Sequence, residues 1–138
     1  ASAALNVIGM FGVCSIGQLA KGLCLSHSAT VRLTEKMELS GWVSRLAGED
    51  KRVVNLELTE PGKKHLRDVL DTRLGTLKPI VSKLSATHQK QLEKILSLLI
   101  EDSVNSEMDA VSVCRLCDDQ VCPEDDCPAH HKLDSLDS

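Results

Sequence analysis

The sequence predicts a mainly α-helical fold with one small β-hairpin, on three observations. Apolar residues recur at helical spacing through most of the first 111 positions. Residues 42–58 depart from that pattern: two short strand-like runs flank Gly48, Glu49 and Asp50, which is turn chemistry. The chain has 138 residues, 42% apolar and 26% charged, enough for one core and too globular in composition for wholesale disorder.

Each element follows from its own signals. Residues 3–11 read as a short helix broken at Gly12 and Val13. Ser15 caps a second helix over 16–22, with Leu19 and Ala20 inward. Residues 23–25 form a tight connection, and Ser26 caps a third helix that runs to Leu39 or Ser40 on the stripe Ala29, Leu33, Met37. Gly41 ends it. Residues 42–46 and 53–58 are the two strands of the hairpin, the second alternating with period two. Thr59 caps the next helix, with Pro61 tolerated in its first turn and a kink expected at Pro79. Residues 85–87 interrupt it. A last helix is expected from about 87 to 111, with Leu92, Ile95, Leu96, Leu99 and Ile100 inward, and no periodicity after it.

Helix, helix, short turn, helix and two-stranded hairpin make a winged helix-turn-helix, followed here by long dimerisation helices. The third helix opens with polar residues able to reach base edges in a DNA groove: His27, Ser28, Thr30 and Arg32. Lys51 and Arg52 lie beside the hairpin tip, where a cation suits the strongly negative minor groove. Charge agrees. Residues 1–100 hold 14 basic and 9 acidic residues, a net of +5, while residues 101–138 hold 2 and 11, a net of −9. A basic body suits an anionic partner. With one Trp, one Phe and no Tyr, stacking platforms and aromatic cages are excluded. No Ser/His/Asp set, phosphate-binding glycine loop or carboxylate pair points to an enzyme. No membrane span or signal peptide is visible, so a cytoplasmic protein is expected.

These pieces resemble the MarR family of bacterial transcription regulators. Ile16-Gly-Gln-Leu-Ala20 is similar to the family's first motif helix, and Leu25-Ser-His-Ser-Ala-Thr-Val-Arg-Leu33 to its recognition helix. Gly41-Trp-Val43 leads into the wing, Asp50-Lys-Arg52 matches its Asp-x-Arg wing motif, and Leu58-Thr-Glu-Pro-Gly62 its approach to the long helix. The likeness covers about residues 3–105. It implies a homodimer on a near-palindromic double-stranded DNA operator and a further helix ahead of Ala1. It also implies an effector site between wing domain and dimer helices. The apolar length of residues 60–111 independently calls for a partner. The expected organisation is residues 1–59 as the DNA-binding domain, 60–111 as dimerisation helices and 112–138 as an acidic cysteine-cluster tail.

That tail lies outside the family pattern. Cys114, Cys117, Cys122 and Cys127 fall in a C-x2-C-x4-C-x4-C run, which reads as a metal or redox site before a disulfide framework. Cys127-Pro128 resembles the close of a ferredoxin loop, so an iron–sulfur cluster is the expected cofactor, sensing redox state or iron. Four-sulfur zinc is the alternative, paired with a small-molecule-responsive regulator, and a metal-free thiol switch a third. A thiol oxidoreductase built on Cys114-Arg-Leu-Cys117 would lack its βαβ surroundings. Cys14 and Cys24 read as small buried residues.

Overall fold

Hydroxyl caps set most of the helix starts. Helix α1 spans Ser2–Phe11 and is followed by a short strand, β1, at Val13–Ser15. Ser15, Ser26, Thr59 and Ser85 then accept hydrogen bonds from the backbone N–H groups of Gln18, Ala29, Gly62 and His88. They open α2 (Ile16–Gly22), α3 (His27–Leu39), α4 (Glu60–Val81) and α5 (Ala86–Ser103). The Ser15 cap is reciprocal, because the Gln18 side chain accepts from the Ser15 N–H. Strands β2 (Val43–Ala47) and β3 (Val54–Leu58) lie between α3 and α4, and α6 (Glu107–Cys114) and α7 (Pro128–Leu136) close the chain. The computed structural model describes residues 1–47, 53–118, 120–122 and 126–136.

The three strands form one antiparallel sheet in the order β1-β3-β2. Val43 pairs with Leu58 and Ala47 with Val54 in the expected hairpin, while Cys14 pairs with Leu56 on the other side of β3. Strand β1 was expected only as a break. Three residues are too few to display alternation, and only the pairing with β3 makes them a strand. Cys14 and Leu56 are fully buried and join Ala4, Leu5, Val7, Ile8, Leu19, Met37 and Val43 in the main core.

The end of α3 is built into the start of α4. Gly41 takes φ +72, and its N–H donates to the Glu38 carbonyl while that of Trp42 donates to the Met37 carbonyl. This is a Schellman termination, and its left-handed residue favours glycine. The chain then turns back on Thr59, whose hydroxyl donates to the Gly41 carbonyl at 2.6 Å and whose N–H donates to the Trp42 carbonyl at 3.1 Å. Trp42 stacks on His65, ring centroids 4.0 Å apart and 10° from parallel. A Cβ at Gly62 would lie 1.9 Å from the Trp42 carbonyl oxygen. Arg45 on β2 reaches Glu38 on α3 at 2.7 Å, tying the hairpin to the same helix.

Helix α4 continues through Pro79 to Val81, in accord with a proline near a helix end that does not stop it. Beyond Leu70, its apolar side chains lack cover. Leu74, Leu77 and Ile80 are exposed, and so are Leu92, Ile95, Leu96, Leu98 and Leu99 on α5, which has no buried residue at all. Of the residues expected to turn inward on α5, Leu92, Ile95, Leu96 and Leu99 therefore face outward from the single chain, while Ile100 packs against the C-terminal core. No helix among the described residues is long and apolar enough to cross a membrane.

The C-terminal region differs most from expectation. The last long helix stops at Ser103 rather than near 111, because Val104 is extended and Ser106 caps a new helix, α6. The residues after it also fold: α7 packs on α5 and α6 around Val104, Ala110, Cys127 and Ala129. The main core does not end before residue 111 either, since Val111 packs against it and its methyl approaches Gly22. Asn6, buried on α1, donates to the carbonyls of Cys114 at 3.3 Å and Cys117 at 2.7 Å. The tail is thus docked on the winged domain.

The α3–α4 corner is open to test. Gly62→Ala must push the Trp42 backbone away and is expected to destabilise the fold by about 1–3 kcal/mol. The check is the urea midpoint at constant m-value. An unchanged midpoint would show that the corner is free to shift.

Candidate nucleic-acid interface and a half-open cavity

Helix α3 is two-faced. Thr30, Thr34 and Met37 are its buried side. His27, Ser28, Arg32 and Lys36 are exposed, and Ser28, Arg32 and Lys36 follow each other at four-residue spacing along one outward stripe. Ser26, Ser28, Ala29, Arg32, Leu33 and Lys36 line a shallow concavity along it. Thr30 had been expected among the base-reading residues. The structure places it inside instead, fully buried, its hydroxyl donating to the Ser26 carbonyl at 3.0 Å. Position 30 lies two residues past Ser28, about 200° around the helix, so it faces the core. Lys36 takes its place on the outer face, a residue that four-residue spacing from Arg32 would have found. Lys51 and Arg52, the expected wing-tip cations, lie outside the described residues, as does Asp50.

A cavity of about 410 Å³ lies behind the winged domain, where α1, the end of β3, α4 and the tail meet. Met10, Leu58, Leu66 and Leu70 supply apolar wall, and Asn6, Glu57, Lys63, Arg67 and Gln120 supply the polar groups. Such a volume suits a small organic ligand. Glu57 accepts from the Ser44 hydroxyl at 3.1 Å, and Lys63 is held by Glu60 at 2.6 Å, a bond that raises the Lys63 pKa.

Arg67 is the most connected of the wall residues. Its Nη1 donates to Asp118 Oδ1 and to Gln120 Oε1, each at 3.1 Å, and its Nη2 to Asp118 Oδ2. Its Nε donates to Asp71 at 3.1 Å. The fork on Asp118 is bidentate, the stronger geometry for this pair. The guanidinium hydrogen bond holds the Asp118 carboxyl below the usual carboxylate range, and Asp118 in turn raises Arg67. One turn and a half further along α4, Arg73 donates to the Leu116 carbonyl. Nothing local in the sequence marks the Arg67–Asp118 pair, whose members are 51 residues apart.

The four tail cysteines do not make the expected metal centre. Among the described residues, no group of three or more His, Cys, Asp or Glu side chains is placed to hold a metal ion. Cys114 and Cys117 share one hydrogen bond and Cys122 and Cys127 another, and all four thiols are close enough to act on one another electrostatically. The Cys-Pro dipeptide also has a simpler cause: Pro128 opens α7, a favoured place for proline. The described residues therefore support neither the expected iron–sulfur cluster nor its zinc alternative, and the expected sensing of iron or redox state loses its basis. Of the remaining thiols, Cys14 is buried as expected, and burial pushes its pKa up to about 11. Cys24 is exposed, at φ +54, with its sulfur 3.4 Å from the Ser112 hydroxyl.

Within the first pair, one proton is shared. The hydrogen bond from Cys114 lowers Cys117 to about 6, aided by Arg73, while the same bond and burial raise Cys114. The thiolate is the nucleophile, so iodoacetamide at pH 7 is expected to modify Cys117 ahead of Cys114, with the Cys117 rate falling below pH 6. Peptide mass mapping reads both, and equal rates would dissolve the pairing.

Known proteins share this architecture and part of this sequence. The transcriptional repressor MprA of Escherichia coli is 34% identical over 95 residues, covering 68% of this chain and 54% of its own. The regulator PecS of Dickeya dadantii is 26% identical over 93 residues, covering 67% and 56%. The chain thus spans about half the length of these curated relatives. A MarR family protein from Bacillus stearothermophilus superposes with a TM-score of 0.65 at 27% identity, over 73% of this chain and 71% of that one. FabT of Streptococcus pneumoniae, solved in complex with DNA, shares the fold at a TM-score of 0.64 and 24% identity, over 71% and 69%. Residues 3–54 of the chain match the MarR family, whose members are transcription regulators and not enzymes.

Proposed function

We propose that this chain is a dimeric, ligand-responsive regulator of the MarR type that binds double-stranded DNA. The observation that carries the reading is helix α3: a buried face that seats it, and an outward polar stripe of Ser28, Arg32 and Lys36 with His27 at its start. An exposed helix of that composition fits a major groove. Phosphate contacts would supply most of the affinity and base contacts the choice of site. The exposed leucines and isoleucines of α4 and α5 support a homodimer, since so many exposed apolar side chains are costly in water. Two copies of α3 would then meet successive major-groove faces of a near-palindromic site, about 34 Å apart. The cavity between winged domain and long helix supports small-molecule control.

Selection from a random duplex pool is expected to enrich a palindrome. On that sequence Arg32→Ala should lose about 1–3 kcal/mol of discrimination against random DNA. Lys36→Ala should weaken all sequences alike and lower the salt slope by about 1. A pool that yields no enriched duplex would end the DNA-binding reading.

For assembly, replacing Leu96 and Leu99 together with Asp is expected to give monomers by light scattering and to abolish palindrome binding. A wild-type monomer that binds the palindrome tightly would refute the dimer.

A further inference from the structure

Resting on the dimeric reading, we propose that the tail forms part of the dimer seam: a groove between α4 and the tail takes the exposed α5 of a second copy. The groove has a volume of about 210 Å³. Leu70, Leu74 and Leu77 supply its wall on the α4 side, and Leu116 and Val121 on the tail side. Its two charged wall residues are engaged within the chain. Arg73 donates to the Leu116 carbonyl, and Asp118 accepts from Arg67. What the groove offers a partner is therefore apolar. Leu116 is 56% exposed and Val121 64%, on a segment tied down by Arg67, Arg73 and Asn6. Single exposed apolar residues are ordinary, but four around one groove mark an interaction surface, and Leu74 and Leu77 are exposed as well.

Continuity, self-complementarity and charge select a second copy as the occupant. Leu70, Leu74, Leu77 and Val81 follow one another at spacings of four, three and four residues. They form one stripe of α4 that begins in the groove and runs on into the exposed face assigned to the dimer. Helix α5, for its part, packs chiefly on α6 and α7 within its own chain, and none of its residues is buried. Leu92, Ile95, Leu96 and Leu99 crowd one side of it. A helix without a groove and a groove without a helix, on the same chain, are satisfied together by a two-fold axis. Each copy lends its α5 and receives the other's. The signs of charge also attract. Residues 78–94 hold Lys78, Lys83, Lys90 and Lys94 against Glu93, and no ion pair among the described residues engages these lysines. Residues 101–138 carry a net charge of −9. A second copy therefore brings a basic helical end to an acidic tail.

The test uses the full chain. Leu116→Asp together with Val121→Asp changes only exposed side chains, so the variant is expected to fold, with an unaltered circular dichroism spectrum. Its dimer dissociation constant, read by sedimentation equilibrium, is expected to rise about a hundredfold, since a two-fold axis counts each substitution twice. Leu116→Met with Val121→Ile keeps the apolar surface and is expected to leave the constant nearly unchanged. A photoreactive benzoylphenylalanine in place of Val121, in a mixture of ordinary and heavy-isotope-labelled chains, reads the contact directly. Mixed-isotope peptides joining position 121 to residues 86–103 are expected. The proposal is overturned if the double Asp variant dimerises like wild type. It is equally overturned if position 121 cross-links only within its own chain, to a part of the partner outside α5, or to nothing, which would leave the groove to a different occupant. Cross-linking keeps the rest of the chain as it is and decides the matter even where the Asp variant misfolds. The two readings separate cleanly. A wild-type dimer that Leu96 and Leu99 substitutions break, yet that is indifferent to Leu116 and Val121, sinks only the tail's part in the seam. A monomeric wild type sinks both.

Discussion

The constraint on which the rest depends is the contact between the Trp42 carbonyl and Gly62. A helix that reads a groove is useful only if its direction is fixed relative to whatever holds its twin. Here the last turn of α3 ends on Gly41, and the next residue lays its carbonyl against the first turn of α4, at a spot where no side chain fits. Thr59 supplies the two hydrogen bonds that close the corner, and it also caps α4. One residue therefore serves the end of one helix and the start of the other. The stacked Trp42 and His65 rings stiffen the same joint by filling its flank. Because interiors are close-packed, a shift in the axis of α4 is passed to α3 rather than absorbed.

A second tie gives the tail a place in this frame. Asn6 is a polar side chain in a row of buried apolar ones, and such a group must find partners or lose stability. Its amide donates to the carbonyls of Cys114 and Cys117, at the end of α6 and in the turn after it, across 108 and 111 residues of chain. The cysteines flank this junction, and their spacing follows the turn after α6 rather than the demands of a tetrahedral ion.

Local chemistry was legible in the sequence and long-range pairing was not. Ser15, Ser26, Thr59 and Gly41 announced the helix ends because capping needs only neighbouring residues. Strand β1 stayed hidden, since Val13–Ser15 is a strand only by virtue of Glu57, Leu56 and Asn55 across from it. The split of the last helix hinged on Val104, an apolar residue in an apolar stripe whose extended backbone no pattern displays. Of the four residues expected to read DNA on α3, His27, Ser28 and Arg32 are exposed, whereas the angular place of Thr30 on the helix turns it into the core. The walls of the cavity come from four separate stretches of chain, so residue patterns did not display it, and only the family resemblance implied a site there. The cysteine run misled for the opposite reason: a dense local pattern invited a metal, whereas among the described residues no group of side chains is placed to hold one.

The charge asymmetry of the chain also finds its physical place. An acidic tail free to roam would compete with phosphate for the basic body and weaken any grip on DNA. Here the tail is held on the side of α1, α2 and α4, and among the described helices α3 makes its principal contacts with α2 and β2. Asp118 in the tail is neutralised by Arg67. Acids held beyond about 8–10 Å from the phosphates are screened at physiological salt. A docked tail therefore costs the basic body less of its attraction for an anion than a roaming one would.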